Sequence, residues 1–134
     1  MSKPINKKFI LWADDDLDDL MIIRHILDKL GYDLDVKELH NGEQVLTFLK
    51  KLTPEKYPSL VILDMNMPII SGKEALKQIK ADPELSALNV IMFTTSNSKH
   101  DKQFCADNGV EMITKPTNMK DLEIALKKLV TDCF

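Results

Sequence analysis

Two cysteines, Cys105 and Cys133, are too few in 134 residues to build a disulfide framework. Neither stands in a CxxC pair or at zinc-ligand spacing from a histidine, so both read as reduced thiols. His25, His40 and His100 are scattered and read as surface or packing residues. No apolar run is long enough to cross a membrane. The start, MSKPINKK, is charged and no signal-peptide apolar region follows it. No basic cluster appears: 18 Lys and Arg stand against 21 Asp and Glu, a net charge of −3, which gives no footing for nucleic acid. Repeats, low-complexity segments and linkers are absent as well. What remains is an ordinary globular composition, 44% hydrophobic and 29% charged, at a length that suits one domain.

One stretch departs from the ordinary. In FILWADDDLDDL, residues 9–20, an apolar run ends in Asp14, Asp15 and Asp16, with Asp18 and Asp19 close behind. Two carboxylates about 4 Å apart repel by ~4 kcal/mol at a surface-like dielectric. Water, a helix N-terminus or a cation must offset that.

Apolar runs and helical patterns alternate five times. KKFILWA reads as a short buried strand. Leu17, Leu20, Met21, Arg24, Leu27 and Leu30 then fall at helical spacing over about 16–30, and Gly31 stops the helix. Asp18 and Asp19 would oppose the dipole in its first turn. A weaker strand, 35–39, leads to an Asn41-Gly42 turn and a helix over 43–51. SLVILD is the strongest strand, 60–63. Ser71 and Glu74 have the spacing of a capping box for a helix over 72–80. Strands at 90–94 and 111–114 follow, each with a helix after it, over 99–108 and 119–130. Gly109 ends the first of these helices and Asn118 caps the second. Trp12 reads as a core residue placed to report on events at Asp14.

This alternation, with unbroken apolar strands, predicts an α/β fold: a five-stranded parallel sheet covered by helices on both faces. Five units in this length suggest the doubly wound, flavodoxin-like order 2-1-3-4-5. Ligands of such sheets sit beyond the carboxyl ends of the strands, at the switch point between strands 1 and 3. Those ends carry Asp14 and Asp15 (strand 1), Asp64 (strand 3), Thr94 and Thr95 (strand 4) and Lys115 (strand 5). Carboxylates so gathered can share a divalent cation, and Mg²⁺ suits a few carboxylates with water and a phosphate oxygen. A carboxylate is also a possible nucleophile towards phosphorus.

WADDD, LVILDMNMP, SG, MFTTS and ITKP stand in order at these positions. With them the chain resembles a response-regulator receiver domain of two-component signalling, CheY-like, over about residues 9–129. The resemblance implies that Asp64 accepts a phosphoryl group from a sensor histidine kinase. It implies Mg²⁺ held by Asp14, Asp15, Asp64 and the backbone carbonyl of Asn66. Thr94 would bond a phosphoryl oxygen and Lys115 would pair with the phosphoryl group. The Lys115-Pro116 bond would be cis. Asp16 is one acid beyond the pattern and reads as a first-turn helix residue. Met112 stands where the family often has a switch Tyr or Phe, and it brings no hydroxyl to bury or expose. Asn66 and Ser96 would flank the site.

The implied protein is a stand-alone, cytoplasmic receiver over residues 1–134, with a core at about 8–130 and no output domain. It would not be an enzyme beyond its own phosphorylation and slow dephosphorylation. It would signal through a downstream protein or a phosphotransfer protein, as a monomer or a phosphorylation-linked homodimer, without nucleic acid or membrane. Two other readings compete. An interaction protein that keeps only the fold would bind no Mg²⁺. An aspartyl-nucleophile phosphatase would need a general-acid carboxylate where this chain has Asn66.

Overall fold

In a computed structural model, residues 8–32 and 34–133 are described. Residues 1–7 of the charged start and the Cys133 thiol lie outside that description. Five strands, β1 (Lys8–Ala13), β2 (Leu34–Leu39), β3 (Leu60–Leu63), β4 (Val90–Thr94) and β5 (Glu111–Thr114), pair in parallel in the order β2-β1-β3-β4-β5. They alternate with α1 (Leu17–Leu30), α2 (Gly42–Lys50), α3 (Gly72–Ala81), α4 (Lys99–Asp107) and α5 (Met119–Cys133). A 3₁₀ turn, Pro54–Lys56, precedes β3.

The two-residue period of the strands divides the core into two layers. Leu11, Ala13, Val61, Leu63, Val90 and Met92 face α2, α3 and α4, where they meet Leu49, Leu76 and Ile79. Ile10, Trp12, Leu60, Ile62, Ile91 and Phe93 face α1 and α5, where they meet Ile26 and Leu129. Trp12 is 1% exposed and meets the Phe93 ring edge-on, centroids 5.7 Å apart. All four residues of β3 are buried, as befits a central strand covered on both faces.

Local signals place the helix ends. Gly31 takes a left-handed conformation (φ 77°) after α1, and Gly109 (φ 68°) follows α4. Ser71 accepts the Glu74 N–H at 3.1 Å, and Asn118 accepts the Asp121 N–H at 2.8 Å. Two readings are corrected. Asp16 is not in the first turn but is the N-cap of α1, accepting the N–H groups of Asp18 and Asp19 at 3.0 and 3.1 Å. Asn41-Gly42 is not a free turn: Asn41 caps α2 through the Gln44 N–H, and Gly42 is the first helical residue.

Candidate functional site

Three of the predicted site residues, Asp14, Asp64 and Lys115, leave their strands with the backbone still pinned to a neighbour. The Asp14 N–H donates to the Leu39 carbonyl (3.0 Å), Asp64 to Ala13 (3.0 Å) and Lys115 to Thr94 (2.7 Å). Each bond continues a parallel ladder one step past the strand. The side chains therefore project from the rigid end of the sheet rather than from a free loop.

Asp14 and Thr94 are fully buried, Asp64 is 8% exposed, and Asp15 is exposed. Asp14, Asp15 and Asp64 can each offer a carboxylate oxygen, all within 4.8 Å of one another. Lys115 faces this cluster. Its Nζ lies 2.5 Å from Asp14, 2.9 Å from Asp19 and 3.4 Å from Asp64. An ammonium has three N–H donors, and here three carboxylates receive them. Asn66 is exposed, two residues beyond Asp64 in the β3–α3 loop.

Electrostatics follow from this placement. Burial lifts the Asp14 carboxyl from its usual 3.8 to about 6, against the hydrogen bonds from Lys115 and the Asp16 N–H. Burial alone would lower Lys115, but the Asp14 and Asp19 hydrogen bonds and the Asp64 charge outweigh it, so its pKa rises. The two directions are compatible. Lys115 meets three carboxylates, whereas Asp14 meets one ammonium and the like charge of Asp64. Three acids thus meet one ammonium, and a fourth, Asp15, lies against two of them. The remaining negative charge and the all-oxygen donor set fit a hard divalent ion such as Mg²⁺.

The β3–α3 loop is clamped over the cluster. A Cβ on Gly72 would lie 1.7 Å from the Asp64 carbonyl oxygen, so only glycine lets α3 start so close. Gly42 donates to the Ile70 carbonyl at 2.8 Å, where a Cβ would lie 2.4 Å from the same oxygen. On the other side, the Ser96 N–H donates to Thr94 Oγ1 at 3.3 Å, and the Ser96 hydroxyl donates to Asp101. Asp101 also pairs with Lys73 of α3 at 2.5 Å.

Some expectations change here. Among the described residues no peptide bond is cis, so Lys115–Pro116 is trans, the form that X–Pro bonds favour by about 0.5–1 kcal/mol. Met65 and Met67, which flank Asn66 in sequence, are buried in the α2–α4 layer. Met112 is half-buried against the same layer. Asp19 was read only as a dipole residue, yet it reaches Lys115, 96 positions away. His40, read as a scattered residue, sets Nδ1 3.4 Å from the Asp14 carbonyl oxygen. His25 and His100 are exposed.

A doubly wound sheet with an acid cluster at its switch point and a lysine at its fifth strand defines a CheY-like receiver. The model of the response regulator receiver domain matches residues 10–127, and the chain belongs to that family. Response regulator Rcp1 of Synechocystis is 30% identical over 119 residues, covering 86% of this chain and 81% of Rcp1. The phosphorylated cyanobacterial phytochrome response regulator RcpA superposes with a TM-score of 0.83 at 28% identity, covering 92% of this chain and 91% of its own. The Mn²⁺-bound form of Rcp1 superposes at 0.82 and 28% identity, covering 92% of each. No helix among the described residues is long and apolar enough to cross a membrane.

Proposed function

We propose that this chain is a phosphorylation-controlled receiver whose Asp64 accepts a phosphoryl group from a phosphohistidine of a sensor histidine kinase. The observation that carries the reading is the setting of Asp64. It is a nearly buried carboxylate at the end of the central strand, 3.4 Å from Lys115 and clustered with Asp14 and Asp15. An Asp64 oxygen attacks phosphorus, the P–N bond breaks, and the departing imidazole keeps the electron pair and takes up a proton. Such a transfer depends mainly on alignment and on neutralising the phosphoryl oxygens. Lys115 supplies a positive charge beside Asp64. Thr94, whose Oγ1 accepts from Ser96, keeps its own O–H to donate to a phosphoryl oxygen. Asp14, Asp15, Asp64 and the Asn66 carbonyl would hold Mg²⁺, which would supply neutralisation of charge on the transferred oxygens. The phosphorylated RcpA and the Mn²⁺-bound Rcp1 support this reading.

The chain acts on no separate substrate in this reading. It catalyses its own phosphorylation and a slow dephosphorylation. Its output is phosphorylation-dependent binding to a downstream protein, or onward transfer to a phosphotransfer protein, in the cytoplasm where the kinase domain works. It does so as a monomer or as a homodimer formed on phosphorylation. Incubation with acetyl phosphate and Mg²⁺, followed by intact mass spectrometry, tests the chemistry. One added phosphoryl group is expected in the wild type, lost when Mg²⁺ is removed and absent from Asp64→Asn. An equal adduct on Asp64→Asn contradicts the assignment.

A further inference from the structure

Lys115 has one carboxylate partner that the proposed chemistry does not use. We propose that Asp19 is a positioning residue that retains Lys115 at the site when a divalent cation takes Asp14. The inference rests on the reading of Asp14, Asp15 and Asp64 as the cation's ligands.

Geometry separates the three partners of Lys115. Asp14 and Asp64 belong to the acid cluster, and Asp19 does not. A cation at the cluster therefore competes with the ammonium for Asp14 and Asp64 while leaving Asp19 to it. The Lys115 side chain is only 9% exposed. Water cannot readily replace lost partners there, and an unpaired ammonium in such a place is costly. Asp19 removes that penalty, because its Oδ2 already lies 2.9 Å from Nζ. Its backbone is fixed as well, since its N–H donates to the Asp16 cap at 3.1 Å. A cleft of about 40 Å³, lined by Asp19, Ile23, Phe93, Lys115, Pro116 and Leu122, lies alongside and gives the lysine stem room to shift towards α1.

Asp18 provides the comparison. It carries the same charge in the same helical turn, is exposed, and donates its N–H to the same cap. A role limited to the helix dipole would fall on both residues, and a through-space effect of the Asp19 charge on the cation would persist without Lys115. Positioning of Lys115 falls on Asp19 alone.

The test is Mg²⁺ affinity by calorimetry at fixed pH and ionic strength. Wild type, Asp18→Asn and Asp19→Asn are compared, each also in a Lys115→Met background. Asp19→Asn is expected to weaken Mg²⁺ binding by about fivefold more than Asp18→Asn, the scale of coupling between contacting residues. With Lys115→Met that difference should vanish. Equal effects of the two Asn variants overturn the inference and leave the cation site standing. So does a difference that persists without Lys115. A wild type that binds no Mg²⁺ overturns the cation reading, and the inference with it.

Discussion

Asp14 is the most constrained side chain of the site. It is fully buried and pinned through its own N–H, and it accepts from the Asp16 N–H at 2.9 Å and from Lys115. Burial still wins, holding its carboxyl at about 6 rather than 3.8. Because the folded value is raised, Asp14 favours the fold fully below its unfolded pKa. That contribution is lost as pH rises through about 6. Two pKa units correspond to up to ~3 kcal/mol, withheld from the metal-free protein at neutral pH. Asp14→Asn keeps an oxygen acceptor and removes the buried charge. It is expected to raise unfolding free energy by about 1–3 kcal/mol at pH 7.5 in urea titrations without Mg²⁺. The gain should shrink below pH 6 as the wild type takes up its proton. A gain independent of pH would contradict this account of the charge.

The connections between elements hold the site from two sides. The start of α3 lies on the backbone of Asp64, and Gly72 has no room for a methyl group. Gly72→Ala must push α3 or the β3–α3 loop away, at a cost of about 2–4 kcal/mol by chemical denaturation. Unchanged stability would mean that the loop yields freely. On the opposite side, the Lys73–Asp101–Ser96 chain ties α3 to α4 and to the residue whose N–H meets Thr94. The Lys73 hydrogen bond first, and then that of Ser96, hold Asp101 below the ordinary 3.8. A depressed folded value stabilises above the unfolded pKa and is lost as pH falls through the folded one. Asp101→Asn is therefore expected to cost about 1–2 kcal/mol at pH 7, with the deficit closing in acid below the ordinary carboxylate value. A deficit that persists in acid would assign the loss to packing instead.

At the scale of the whole molecule, much of this organisation was legible in sequence. Each apolar run stops at a residue with chemistry: Ala13 before Asp14, Leu63 before Asp64, Thr114 before Lys115. Topology then gathers those ends. The acid cluster was legible for that reason, because strand order alone brings residues 14, 15 and 64 together. Contacts that depend on side-chain reach were not. Helical spacing sets Asp19 on the side of Ile23 and Ile26 and Asp18 away from it, but that spacing does not say that the cation met there is Lys115, 96 positions on. The Gly42–Ile70 clamp was hidden because Asn-Gly is equally a turn signal and a helix start. The most direct measurement is to phosphorylate the chain with acetyl phosphate and Mg²⁺, reduce the acyl phosphate with borohydride, and locate the product by peptide mass spectrometry. Homoserine at position 64 is the predicted result. Reduction at another carboxylate, or a stable phosphate retained on a hydroxyl residue, would contradict the account.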